Sequence, residues 1–232
     1  MKGFFITGTD TGVGKTIITA IVALALQERG LRTTVIKPIE TGCMLSGQGL
    51  VPPDGLFLKN ILNLDDDIDR ITPVRYALPL APLVAAKLEN REVDLQRLRR
   101  CFAELNTYEA VVVEGIGGLM VPITEDYFVY DMIKELGLPV ILVAAAGLGS
   151  INHTLLSIDF MKSHNISTAG LIINHNVSYH GIANRTTPDT ISRLSPINII
   201  ATVPFIRNID YPNLKAFTKV LNRDLLSIIY YK

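Results

Sequence analysis

Five side chains in this sequence carry groups suited to handling phosphate: Lys15, Thr16, Lys37, Asp54 and Glu114. Lys15 and Thr16 close the stretch G-T-D-T-G-V-G-K-T at residues 8–16. Glycines let such a backbone curl until its N–H groups point inward at phosphate oxygens. A helix beginning near Lys15 adds the positive end of its dipole. Lys15 can then reach β- and γ-phosphates, and the Thr16 hydroxyl can ligate Mg²⁺. The spacing departs from the usual loop pattern, which would put a glycine at Thr9; Gly8 lies one residue early. The alternative is a Gly/Thr-rich turn that binds nothing, and the strand and helix signals on either side argue against it.

The other groups extend this chemistry. Glu114 follows the apolar run 110–113 and precedes Gly115-Ile116-Gly117-Gly118. A carboxylate at a strand end, beside glycines that admit close approach, is placed to ligate Mg²⁺; otherwise it is a capping charge on a loop. Asp54 reads equally as a metal carboxylate or a helix N-cap. Lys37, just before Pro38, either neutralises phosphate or carboxylate charge or is a solvated strand end. Thr41 adds a hydroxyl in a loop. The four histidines share no ligand spacing, and Cys43 and Cys101 read as free thiols of a reducing, cytoplasmic setting.

These residues need elements that bring them to one rim. Residues 3–7 read as a first strand, and 17–29 as a mostly buried helix stopped at Gly30. Strands are expected at 33–36, 110–113, 140–146, 169–173 (ending at Asn174) and 197–203 (ending at Pro204). Residues 40–53 read as a loop, with short helices near Asp54 and over 82–89. Asp94 caps a helix over 95–105. Helices are also expected over 129–136, over 151–163 with Ser150 as its cap, and over 214–226. The Asp65-Asp66-Asp67 and Asp69 run reads as a solvated turn rather than a metal site. Strands apolar throughout and alternating with helices predict an α/β fold, a doubly wound, mostly parallel sheet covered on both faces. Ligands bind beyond the carboxyl ends of such strands, where the candidate polar residues fall.

Bulk properties agree. The chain has 232 residues, 48% hydrophobic and 19% charged, enough for a large buried core and read as one domain, 1–232. A zero net charge gives no electrostatic case for nucleic acid. With the positive mean hydropathy it hints at surface buried between subunits. The charged residues within 2–15 argue against a signal peptide, and 140–146 is too short to span a bilayer. No membrane association is expected.

At these positions the sequence resembles the dethiobiotin synthetases, which share the phosphate-loop nucleotidase fold. The resemblance rests on residues 8–16, K-P-I-E-T-G at 37–42, Asp54, V-E-G-I-G-G at 113–118, P-V-I-L-V at 139–143, L-G-S-I-N-H at 148–153, Asn174 and the Pro204 segment. The offset Gly8 is a feature of that family. The resemblance implies ATP- and Mg²⁺-dependent carboxylation and ring closure of 7,8-diaminononanoate with CO₂, in a homodimer. It assigns the ATP phosphates to Gly12, Val13, Gly14, Lys15, Thr16 and Ile17, and Mg²⁺ to Thr16, Asp54 and Glu114. Gly115, Ile116, Gly117 and Gly118 offer backbone contacts, Gly118 towards the substrate. Asn174 with His175 meets the adenine, flanked by Pro204, Phe205 and Ile206. Lys15, Lys37 and Thr11 serve the reaction, Thr41 lies near the carbamate, and Ser150 with Asn152 takes the substrate's tail carboxylate near the partner subunit.

Two rival readings share the fold. Partner-regulated switch ATPases carry an extra lysine early in the loop, where this chain has Asp10 and Thr11. Amidating ligases of the same superfamily usually carry a glutaminase domain, for which 232 residues leave no room.

Overall fold

The computed structural model describes residues 2–47, 49–178 and 181–221. Strand β1 (Gly3–Gly8) leads through the glycine-rich loop into helix α1 (Lys15–Gln27), followed by β2 (Thr33–Ile36), β3 (Ile39–Glu40), β4 (Met44–Ser46) and β5 (Gly49–Val51). Helices α2 (Pro53–Ile61) and α3 (Ile68–Ile71), strand β6 (Val74–Arg75), and helices α4 (Pro82–Leu88) and α5 (Leu95–Glu104) come next. The chain then alternates through β7 (Ala110–Glu114), α6 (Val129–Leu136), β8 (Val140–Ala145), α7 (Ser150–Ser163), β9 (Thr168–Asn174), α8 (Ile182–Leu194), β10 (Ile199–Val203) and α9 (Tyr211–Phe217).

Six strands form one sheet in the order β10-β9-β8-β1-β7-β2, and every pairing in it is parallel. The continuous apolar runs follow from this arrangement, because both faces are covered. Phe4 and Ile6 of β1 point to the face packed by α1, α2 and α9; Phe5 points to the face packed by α5, α6 and α7. β1 lies between β7 and β8, where the strand order reverses. The crevice beyond such a switch point is where open α/β sheets bind ligands.

Several local expectations are corrected. The region 40–53 holds more than a loop: β4 and β5 form an antiparallel hairpin, and β3 pairs with β6 in a parallel ribbon. Ser150 does not cap α7; Gly149, in a left-handed conformation, is the N-cap and Ser150 is the first helical residue. Asp54 is not the N-cap of α2 either, since Pro52 holds that position and Pro53 opens the helix. The acidic run is not simply solvated: Asp67 caps α3, and Asp66 accepts from the Thr34 and Tyr108 hydroxyls. Asp94 does cap α5, accepting from the Arg97 N–H at 2.7 Å. The C-terminal helix expected over 214–226 is seen as α9 from Tyr211, and its expected end lies outside the described residues.

Candidate active site

The phosphate-loop segment is held by the end of β9. Gly14 adopts φ 94°, and a Cβ there would lie 2.1 Å from Asn174 Nδ2, so the approach requires glycine. Asn174, 5% exposed, donates from Nδ2 to the Val13 carbonyl at 2.9 Å. Asn176 does the same to the Gly12 carbonyl, also at 2.9 Å. Lys15 is buried and folds back to donate to the Asp10 carbonyl at 3.0 Å. Burial pushes its ammonium down to about 8, against the pull of Glu114; the nearby Lys37 lowers it further.

Three separate elements converge beside this loop. Lys37 follows β2 and is fixed by its own N–H donating to the Ile71 carbonyl at 2.8 Å. Its Nζ lies 2.5 Å from Asp54 Oδ2, at the start of α2, and 2.7 Å from Glu114 Oε1, at the end of β7. The same Glu114 oxygen accepts from the Thr16 hydroxyl at 2.8 Å. Burial alone would push the Lys37 ammonium down, but Glu114 and Asp54 outweigh it and hold the group above its ordinary value. The reading of Lys37 as a solvated strand end fails on burial, since it is 5% exposed; Glu114 is wholly buried, and its Oε1 accepts from the Thr16 and Lys37 side chains.

A hard cation fits the donor set here. Thr16, Asp54 and Glu114 bring a hydroxyl and two carboxylates together, and Glu114 Oε2 is buried without a hydrogen-bond partner. Mg²⁺ takes one or two carboxylates with nucleotide phosphates completing its shell, rather than an all-protein cage. In keeping with that, no group of three His, Cys, Asp or Glu residues suited to a metal occurs among the described residues.

The cluster opens onto a cleft of about 540 Å³. Thr11, Gly12, Gly14, Lys15, Thr16 and Ile17 line one side; Lys37, Thr41, Asp54, Glu114, Ile116 and Gly117 line the rest. Val13 is buried behind the loop. Gly115, Gly118, Asn174, His175, Pro204, Phe205 and Ile206 do not line the cleft, although Asn174 sits directly behind the loop. Ser150 and Asn152 are also outside it; the nearby His153 approaches Asp10 at 3.9 Å, which puts the start of α7 beside the loop's outer edge.

Three lining residues escaped the sequence reading: Glu40, Phe57 and Ile209. Phe57 stands three residues after Asp54, on the same helical face, a spacing that could have revealed it. Glu40 lies within K-P-I-E-T-G, but nothing local marks its partners. It is 2% exposed and accepts from the Asp54 N–H at 2.8 Å and the Gly55 N–H at 2.9 Å. Burial raises the Glu40 carboxyl's pKa, with Lys37 and the two amide donors pulling it down. Ile209 carries no local signal at all.

A family model described as an AAA domain matches residues 2–213. The chain is 40% identical to the ATP-dependent dethiobiotin synthetase BioD of Thermodesulfovibrio yellowstonii over 236 residues, covering 98% of each chain. It is also 40% identical to the BioD of Methanocaldococcus jannaschii, over 86% of this chain and 92% of that protein. Among solved structures, the MinC:MinD cell division protein complex of Aquifex aeolicus superposes with a TM-score of 0.61 at 15% identity, covering 100% of this chain and 97% of its counterpart. That likeness speaks for the fold. The near full-length identity and the phosphate-loop cleft together show that the chain belongs to the ATP-dependent dethiobiotin synthetase family.

Proposed function

We propose that this protein is an ATP-dependent dethiobiotin synthetase acting on 7,8-diaminononanoate and CO₂. The observation that carries the reading is the Lys37 ammonium held between Asp54 and Glu114, in the same cleft as Lys15 and Thr16. In the proposed sequence one amine of the diamine adds to CO₂ and loses a proton, giving a carbamate. A carbamate oxygen then takes the γ-phosphoryl group of ATP, releasing ADP and leaving a carbamic–phosphoric anhydride. The second amine attacks the carbonyl carbon, expels phosphate and closes the ureido ring.

Phosphoryl transfer of this kind asks for positioning and charge neutralisation rather than a covalent nucleophile. Gly12, Val13, Gly14, Lys15, Thr16 and Ile17 cradle the phosphates. Lys37 and Lys15 offset the charge of carbamate and transferring group. Thr16, Asp54 and Glu114 would hold Mg²⁺, which would supply further charge neutralisation at the phosphates. Thr11 and Thr41 face the diamine and carbamate, with Gly115, Ile116, Gly117 and Gly118 offering backbone contacts.

Asn174 and His175, with Pro204, Phe205 and Ile206, are assigned to the adenine side on the family resemblance. Ser150 and Asn152 are assigned to the substrate's tail carboxylate across a homodimer interface. We read residues 1–232 as one domain working in the cytoplasm. No described helix is long and apolar enough to cross a membrane.

Incubation with ATP, Mg²⁺, the diamine and ¹³C-bicarbonate tests the reading. Dethiobiotin labelled at its ureido carbon is expected. ATP consumption without a labelled product would contradict it.

A further inference from the structure

We propose that Glu40 is a positioning residue that sets Asp54 against Lys37, an inference that rests on the synthetase reading of this cleft. Asp54 stands in the first turn of α2, where the backbone N–H groups have no partners within the helix. Such a turn is ordinarily capped by a residue adjacent in sequence. Here the local cap position is Pro52, which makes no side-chain cap hydrogen bond. The carboxylate of Glu40, fourteen residues upstream, takes the role instead. Oε1 accepts from the Asp54 N–H at 2.8 Å and Oε2 from the Gly55 N–H at 2.9 Å.

Glu40 is itself rigidly based. It belongs to the β3–β6 ribbon, its carbonyl accepts from the Tyr76 N–H at 3.0 Å, and its side chain is almost wholly buried. The fork of two charge-assisted bonds therefore fixes the backbone from which the Asp54 side chain reaches Lys37 Nζ at 2.5 Å. Asp54's own side chain is 45% exposed and has little else to hold it. Gly55 fits the same anchor from the far side: a Cβ there would lie 2.1 Å from Thr72 Oγ1. Glu40 thus sets Asp54 from behind, while both its oxygens stay committed to the backbone.

Glu40→Gln removes the fork with little change in shape. One amide oxygen can still accept, but the NH₂ group faces the second N–H, donor against donor. The test is a double-mutant cycle of Glu40→Gln with Asp54→Asn. It is read by kcat for diamine-dependent phosphate release, by Mn²⁺ half-saturation in the presence of ADP, and by melting temperature. Glu40→Gln in the wild-type background is expected to lower kcat roughly tenfold and raise Mn²⁺ half-saturation by a similar factor, the usual scale of loss when a partner that orients a metal ligand is removed. In the Asp54→Asn background the same change is expected to alter both by less than about twofold.

A purely structural Glu40 would lower the melting point and give the same fold-loss in both backgrounds; that result, or a wild-type-like Glu40→Gln, overturns the proposal. Should Glu40→Gln fail to fold, Gly55→Ala run through the same cycle disturbs the same anchor and decides by the same criterion. The Mn²⁺ measurement uses no diamine. Absence of dethiobiotin from the wild type would therefore defeat the synthetase reading while leaving the Glu40–Asp54 coupling measurable.

Discussion

Thr16 and Glu114, 98 residues apart in sequence, are joined by a 2.8 Å hydrogen bond from the Thr16 hydroxyl to Glu114 Oε1. It ties the first turn of α1 to the end of the neighbouring strand β7. Thr16→Val keeps the shape and deletes the donor. It is expected to destabilise the protein by no more than about 1.5–3 kcal/mol, the worth of one hydrogen bond to a charged acceptor, because Glu114 Oε1 still accepts from Lys37 at 2.7 Å. Chemical denaturation reads that cost, and turnover assays should show a raised Mg²⁺ requirement. Unchanged Mg²⁺ dependence would remove Thr16 from the metal site.

Lys37→Met tests the central cation. The change leaves Glu114, wholly buried, with only the Thr16 donor. Removing one partner of a buried pair costs about 3–5 kcal/mol, an upper bound here because the Asp54 side chain is half in solvent. Turnover should fall on the order of 10²–10³-fold, as when a transition-state charge stabiliser is lost. Full turnover in a folded variant would exclude Lys37 from the chemistry.

Lys15 predicts a proton linkage with a definite sign. Its free ammonium sits at about 8, lowered chiefly by burial. Bound phosphates favour the charged form, so ATP affinity is full well below pH 8 and is lost as the pH rises through that value. The decline approaches about tenfold per pH unit. Calorimetry in buffers of different ionisation enthalpy should show proton uptake on binding at pH 9 and little at pH 6.5. Equal proton uptake at both would contradict the assignment.

Asn174→Ala should loosen the loop from behind, since Asn174 does not itself line the cleft. It deletes the bond to the Val13 carbonyl and opens space behind Gly14. A cost of about 1–3 kcal/mol in stability and a several-fold rise in KM for ATP are expected, with KM for the diamine little changed. An altered diamine KM with normal ATP binding would point to another role.

Much of the site was legible because its chemistry is local in sequence. Gly14-Lys15-Thr16 between strand and helix signals, and Glu114 after four apolar residues, announce themselves through pattern. Their convergence also followed from the parallel sheet, since strand ends share one rim. Contacts between distant segments were not legible. Glu40 reads as one residue of a loop, and only folding shows that its carboxylate caps a helix starting at Pro53. Ser150 has the composition of an N-cap, yet Gly149, with φ 86°, makes the turn one residue earlier. The hairpin of β4 and β5 was missed because strands of three residues carry too little periodicity to stand out. Ile209 reaches the cleft across the whole chain, so no local pattern could have placed it there.

Phosphate release from ATP and Mg²⁺, measured with and without 7,8-diaminononanoate and bicarbonate and with the product identified by mass, decides whether this cleft closes a ureido ring. Diamine-dependent release, matched by dethiobiotin formation and lowered on the order of 10²–10³-fold in Lys37→Met, is the predicted result. Release indifferent to the diamine, with no new product mass, would rule out ring closure in this cleft and favour a nucleotide switch on the same fold.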